Sequence, residues 1–164
     1  MKFLAYLVTA LAAVAFLSSC NTGPSLDSAM AAAEAKGAID SLWSGYAVAA
    51  DRRDATGFES IFTDDAILVL SGSRTVTGKA AIGAFLDSLY TPIDVTGFKV
   101  TPDDLKASGD LAAQGGTFEE RYLDKEVPMI EYGRFAMTAE RGADHAWRIR
   151  RLTAVADSTV KATE

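Results

Sequence analysis

Apolar positions along the chain follow two periods, and the switch from one to the other divides it. Ile39, Leu42, Trp43, Tyr46, Ala47 and Ala50 recur at i, i+3, i+4, i+7, i+8 and i+11, one face of an amphipathic helix. Asp27 stands where that helix would be capped, and Asp51-Arg-Arg-Asp54 ends the pattern. Asp54 can cap a second, short helix that buries Phe58, Ile61 and Phe62. Asp64-Asp65 then turns the chain into Ala66–Leu70, an apolar run of strand length, and Arg74–Thr77 reads as its hairpin return. Thr77-Gly-Lys opens a third helix with Ile82, Phe85, Leu86, Leu89 and Tyr90 on one face. Thr91-Pro92 closes it, because the residue before proline avoids the helical region.

Beyond Pro92 the helical period is lost. Val95–Lys106, Leu111–Leu123, Met129–Arg141 and Ala146–Asp157 read as four strands joined by short turns, and 158–164 as a polar, flexible tail. Helices first and strands last predict an α+β domain with a mostly antiparallel sheet. A strongly curved sheet with three helices packed on one face closes into a cone that encloses a cavity.

A different pattern stands in front of these elements. Lys2 is the only charge among the first nineteen residues, and Phe3–Leu17 is an almost unbroken apolar run. The run is shorter than the roughly 20 residues a membrane span needs and suits a secretory signal. Leu17-Ser-Ser-Cys20 resembles the bacterial lipobox, which implies cleavage before Cys20 and diacylglycerol on its sulfur; an ordinary signal peptide with an incidental cysteine is the alternative. The expected layout is signal peptide 1–19, lipidated tether 20–26, domain 27–157 and tail 158–164. Asn21 in place of Asp favours the outer membrane, facing the periplasm, in a Gram-negative host.

With 164 residues, 49% apolar and 23% charged, the composition is that of one globular domain. One Cys and one His exclude a disulfide framework and Cys/His metal sites, so no metal or cofactor is expected. The net charge of −6 becomes −7 once Lys2 leaves with the signal peptide, 15 basic against 22 acidic side chains. That balance argues against a nucleic-acid partner and leaves lipid on Cys20, not a basic patch, as the membrane attachment.

Strand alternation puts Glu131, Gly133, Phe135 and Met137 on one face, and Trp147, Ile149, Arg151 and Thr153 on one face of the last strand. Trp147 and Ile149 mark the latter as inward, so Arg151 is expected at the cavity, paired with Glu131 or Glu120. Such a pair is either a strand-pinning ion pair or a polar anchor for an acidic or carbonyl ligand. Arg148 and Arg150 then face outward. His145 sits in a hairpin turn and Asp64-Asp65 at a chain reversal, neither placed for catalysis. Gly72 to Lys79 brushes against a phosphate-loop pattern but has one residue too many between the glycines and no Ser or Thr after the lysine.

Asp51-Arg-Arg-Asp54, Phe58-Glu-Ser-Ile-Phe62, Asp64-Asp65-Ala, Gly78-Lys-Ala-Ala-Ile82, Glu131-Tyr-Gly-Arg-Phe135 and Trp147-Arg-Ile149 occur in order. Together they resemble the NTF2-like superfamily in its SnoaL-like and DUF4440-type branch, over about residues 30–156. The resemblance implies the cone fold and a homodimer through the outer face of the sheet. It also implies, by likeness to ketosteroid isomerases, roles for three positions. Tyr46 falls where a tyrosine stabilises a dienolate, and Glu131 near a second, protonated acid. Leu70 stands where the proton-moving carboxylate would be.

The expected cavity lining is Trp43 and Tyr46 from the first helix, with Phe62, Leu68 and Leu70 from the first strand. The later strands add Phe118, Glu131, Phe135, Trp147 and Arg151. With Leu70 unable to accept a proton, the leading expectation is a membrane-tethered module that binds a small, mostly apolar ligand without turnover. A cofactor-independent isomerase, lyase or hydrolase using Tyr46 and Glu131 is the alternative, and an envelope protein-interaction module a third.

Overall fold

The computed structural model describes residues 26–162; the expected signal peptide 1–19 and residues 20–25 of the expected tether, Cys20 among them, lie outside the described residues, while Leu26 is already helical. The first element, α1 (Leu26–Arg52), already includes Asp27, the residue expected to precede it. Its buried face runs from Ala35 through Ile39, Leu42, Trp43 and Tyr46 to Ala49 and Ala50; this follows the expected helical period, except that Ala47 is only half-buried and Ala49 is buried in its place. Arg53, at φ 53°, ends it: Asp54 N–H bonds Ala49 O and Arg53 N–H bonds Ala50 O, a Schellman stop with arginine in the left-handed position. Asp54 precedes α2 (Ala55–Ile61) as its N-cap, but its carboxylate makes no cap hydrogen bond. Phe58 and Ile61 fix this helix to the core.

The strands are β1 (Phe62–Leu70), β2 (Val76–Thr77), β3 (Ile93–Pro102), β4 (Lys106–Ser108), β5 (Leu111–Asp124), β6 (Val127–Arg141) and β7 (Trp147–Lys161). The third helix, α3 (Lys79–Tyr90), follows β2 and starts at Gly78, whose φ of 90° suits only glycine well. The sheet order is β2-β1-β7-β6-β5-β3, with β4 also on β5; β1 and β7 pair in parallel and all other neighbours are antiparallel. The expected α+β architecture of three helices on a curved, mostly antiparallel sheet is therefore present. Several boundaries differ: Phe62, expected in the second helix, opens β1 four residues ahead of the expected Ala66, and the return strand is only Val76–Thr77. Val95–Lys106 is broken into β3 and β4, and β7 continues past Asp157 because Met129–Tyr132 of β6 supply ladder partners up to Lys161.

Bulges decide which side chains face inward. Between Phe62 and Ile67, β1 advances five residues while β7 advances two, from Ile149 to Arg151, so Asp64 and Asp65 are both pushed to the surface instead of turning the chain. Opposite Thr138 and Ala139, β7 carries one extra residue, Arg150. Inward alternation thus passes from Ile149 to Leu152, and Arg151 points outward, fully contrary to the simple alternation expected. Arg148 and Arg150 face outward as expected, paired with Asp144 and Glu140. His145 is exposed in the β6–β7 turn at φ 62°. Among the described residues, no helix is long and apolar enough to cross a membrane.

Candidate functional site

The inner face of β5 carries Gln114, Phe118 and Glu120, and that of β6 carries Glu131, Gly133 and Phe135. The ladder sets Phe118 opposite Gly133 and Glu120 opposite Glu131. A Cβ on Gly133 would collide with the Phe118 ring and lie 2.5 Å from Val155 O, so only glycine lets that ring cross the strand. From the helical side, Trp43 donates to buried Gln114 (Nε1 to Oε1, 3.1 Å), which locks α1 onto β5.

These elements enclose a cavity of about 190 Å³. That exceeds the roughly 150 Å³ of an apolar cavity able to hold benzene. Aromatic rings make its walls: Trp43 and Tyr46 of α1, Tyr90 of α3, Phe98 of β3, Phe118 and Phe135. Trp43 packs edge to face on Phe135 with centroids 4.6 Å apart, and Tyr46 on the core ring of Phe58 at 5.2 Å, while Phe98 stacks on Phe118 at 6.4 Å. Leu70, Leu152 and Ala154 complete the apolar surface, and the exposed Ser71, Ser73, Leu89 and Ala156 form the mouth.

The polar groups are few. Tyr46 and Tyr90 share a hydroxyl–hydroxyl hydrogen bond of 3.2 Å, and burial pushes both phenols well above their ordinary range. Glu120 is only 8% exposed, and its Oε1 has no hydrogen-bond partner. Burial, then the charge of Glu131 facing it, push the Glu120 carboxyl up to about 7, although the nearby Tyr90 hydroxyl pulls the other way. Glu131 is half-buried; desolvation raises its carboxyl, and a 3.4 Å bond donated by Thr159 Oγ1 partly offsets this. Among the described residues, no Lys or Arg lines the cavity. Like charges directly opposite on a sheet repel, so the pair relieves its strain by keeping a proton to near neutrality. Such a site can give or take a proton, donate hydrogen bonds from phenols, or receive a cation.

Of the residues expected at the cavity, Trp43, Tyr46, Leu70, Phe118, Glu131 and Phe135 line it. Phe62 and Leu68 do not: at 1% and 0% exposure they are core residues. Trp147 is likewise buried away from it, its ring under the Arg141 guanidinium at 6.0 Å and its Nε1 unpartnered. Arg151 lies on the outer face beside Asp103 and Asp104, so neither the expected ion pair with Glu131 or Glu120 nor an arginine anchor for an acidic ligand forms. The Arg150 bulge is the cause. Sequence reasoning named Glu120 only as a possible partner of Arg151 and not as an acid facing Glu131, although alternation from Phe118 places it inward. It also missed Tyr90, which ends the apolar face of α3, and Phe98.

A comparison with curated proteins returned no match. Solved structures share the fold. A ketosteroid isomerase-like protein from Erwinia carotovora atroseptica is 18% identical with a TM-score of 0.65, covering 74% of this chain and 95% of its own. An NTF2-like protein with a cystatin-like fold from Novosphingobium aromaticivorans is 20% identical at TM-score 0.68, with coverage of 81% and 88%. A hexachlorocyclohexane dehydrochlorinase from Novosphingobium barchaimii is 18% identical at TM-score 0.67, with coverage of 83% and 95%. At such identities the likeness establishes the NTF2-like fold alone. The sequence itself matches the family model described as a SnoaL-like domain over residues 31–153, and the chain belongs to that family.

Proposed function

We propose that this chain captures a small, mostly apolar molecule in the cavity, with Glu120 and Glu131 recognising its one polar group. The supporting observation is the pairing of aromatic walls with two facing carboxylates that no cation among the described residues neutralises. In this reading the domain works at the cell envelope, held by lipid on Cys20 and paired with a second copy through the outer face of the sheet. Ligand-observed NMR with single-ring fragments tests the binding claim. Fragments should bind the wild type and lose binding to Ala154→Leu, which fills the cavity; equal binding by both proteins would place them elsewhere and refute it. Labelled palmitate should be incorporated by the wild type and not by Cys20→Ser.

A second reading, cofactor-independent proton transfer, is favoured by one observation: Glu120 titrates near 7 beside two phenol donors. There Glu120 and Glu131 would move the proton that Leu70 cannot, and Tyr46 or Tyr90 would donate to a developing oxyanion. The dehydrochlorinase among the similar structures makes elimination a reaction worth assaying. Glu131→Gln should then abolish turnover at nearly unchanged melting temperature.

A further inference from the structure

The unmet electrostatic need of the cavity specifies the ligand more narrowly, if the binding reading above holds. Glu120 is nine-tenths buried, aimed into the cavity, and its Oε1 meets no donor. Natural proteins seldom leave a buried carboxylate oxygen unpaired. Among the described residues, every charged or titratable group that faces it is acidic or phenolic. Tyr46 comes from α1, Tyr90 from α3, Glu131 from β6, and Tyr122 from its own strand. On β3 the residue opposite Glu120 is Phe98, while Lys99 lies opposite Glu119. The nearest arginine in sequence, Arg121, is turned outward onto Glu119. The remaining walls are aromatic rings, whose faces attract cations and offer nothing to an anion, and the aliphatic Leu70, Val100, Leu152 and Ala154.

We propose that the cavity is a receptor for a small aromatic or aliphatic primary amine in its protonated form, the ammonium seated between Glu120 and Glu131 and the hydrocarbon among the rings. The ammonium has three donors, matching Glu120 Oε1, Glu131 and the hydroxyl pair of Tyr46 and Tyr90. A carboxylate or phosphate ligand would meet two like charges and no donor stronger than a phenol. A hydrated divalent ion is disfavoured as well, because two carboxylates among aromatic rings fall short of the six or so oxygens it requires.

Isothermal titration of the full chain tests this with four probes: 2-phenylethylamine, 2-phenylethanol, phenylacetate and calcium chloride. The amine should bind at least tenfold tighter than the alcohol at pH 8, with no heat from phenylacetate or calcium. Its affinity should rise about tenfold from pH 6 to pH 8 as Glu120 loses its proton. Glu120→Gln should erase most of that preference. Glu131→Gln, at the half-open mouth, should weaken amine binding and serves if the amide disturbs the fold at position 120. Equal affinity for alcohol and amine, or affinity that falls with pH, overturns the amine assignment while leaving a binding cavity. Tight calcium binding overturns it in favour of a metal. If none of the four binds, the binding reading beneath it fails too.

Discussion

Replacing Glu120 by Gln should remove most of the protein's loss of stability between pH 5 and pH 8. A carboxyl raised from 4.5 to about 7 binds its proton more tightly when folded than when unfolded. The folded state is then favoured below about pH 4.5 and loses that advantage as pH rises through 7. At about 1.4 kcal/mol per pKa unit, the full loss is roughly 3 kcal/mol, most of which falls between pH 5 and pH 8. The other shifted acids do not confuse this window. Asp144, near 2, and the lowered Asp64 and Asp157 titrate below it, and the raised tyrosines titrate above. Glu131, raised as well, adds in the same direction. Urea unfolding followed by the fluorescence of buried Trp43 and Trp147 supplies the assay. With a slope of roughly 1.5–2 kcal/mol/M, the wild-type midpoint should fall by about 1–1.5 M from pH 5 to 8. Glu120→Gln should flatten most of that decline and be the more stable protein at pH 8. A wild-type midpoint independent of pH across this range, or a variant with an unchanged slope, would refute the reasoning.

Three further outcomes follow from the packing. Gly133→Ala should cost about 1–3 kcal/mol in the same urea assay, since its Cβ meets the Phe118 ring and Val155 O; a neutral effect would mean the ring does not cross the strand there. Tyr46→Phe removes the bond to Tyr90 and strands a buried hydroxyl, which should lower stability by about 1 kcal/mol. Arg151→Ala should leave both stability and fragment binding within about 0.5 kcal/mol of wild type, because the side chain is exposed on the outer face; a large loss of binding would return it to the cavity.

The helices were legible because each buries one continuous face, and a 3.6-residue period survives any tertiary arrangement. Ile39 to Ala50 and Ile82 to Tyr90 therefore read largely correctly from spacing alone, apart from exposed Leu89 and the half-buried Ala47 and Phe85. Most of β6 was legible for the same reason, with Glu131, Gly133, Phe135 and Met137 on one inward face. The last strand was not. Its Arg150 bulge depends on register against two neighbours at once, information that a local period of two does not carry. One inserted residue moved Arg151 out of the site and replaced an expected ion pair by a pair of facing acids. Phe62 and Leu68 sit on an inward strand face too, but behind α2 and α3, where packing fills the space. Tyr90 and Phe98 were hidden for a further reason: nothing local indicates that a helix terminus and the far edge strand meet over Glu120.

Carboxyl ¹³C NMR across pH 4 to 9 tests most directly whether the cavity holds an unneutralised acidic pair. One glutamate should titrate near 7, vanish in Glu120→Gln, and move toward the ordinary carboxylate range in Glu131→Gln as the facing charge is removed. If every glutamate titrates near 4.5 in the wild type, Glu120 is solvated or paired and the proposed site does not exist.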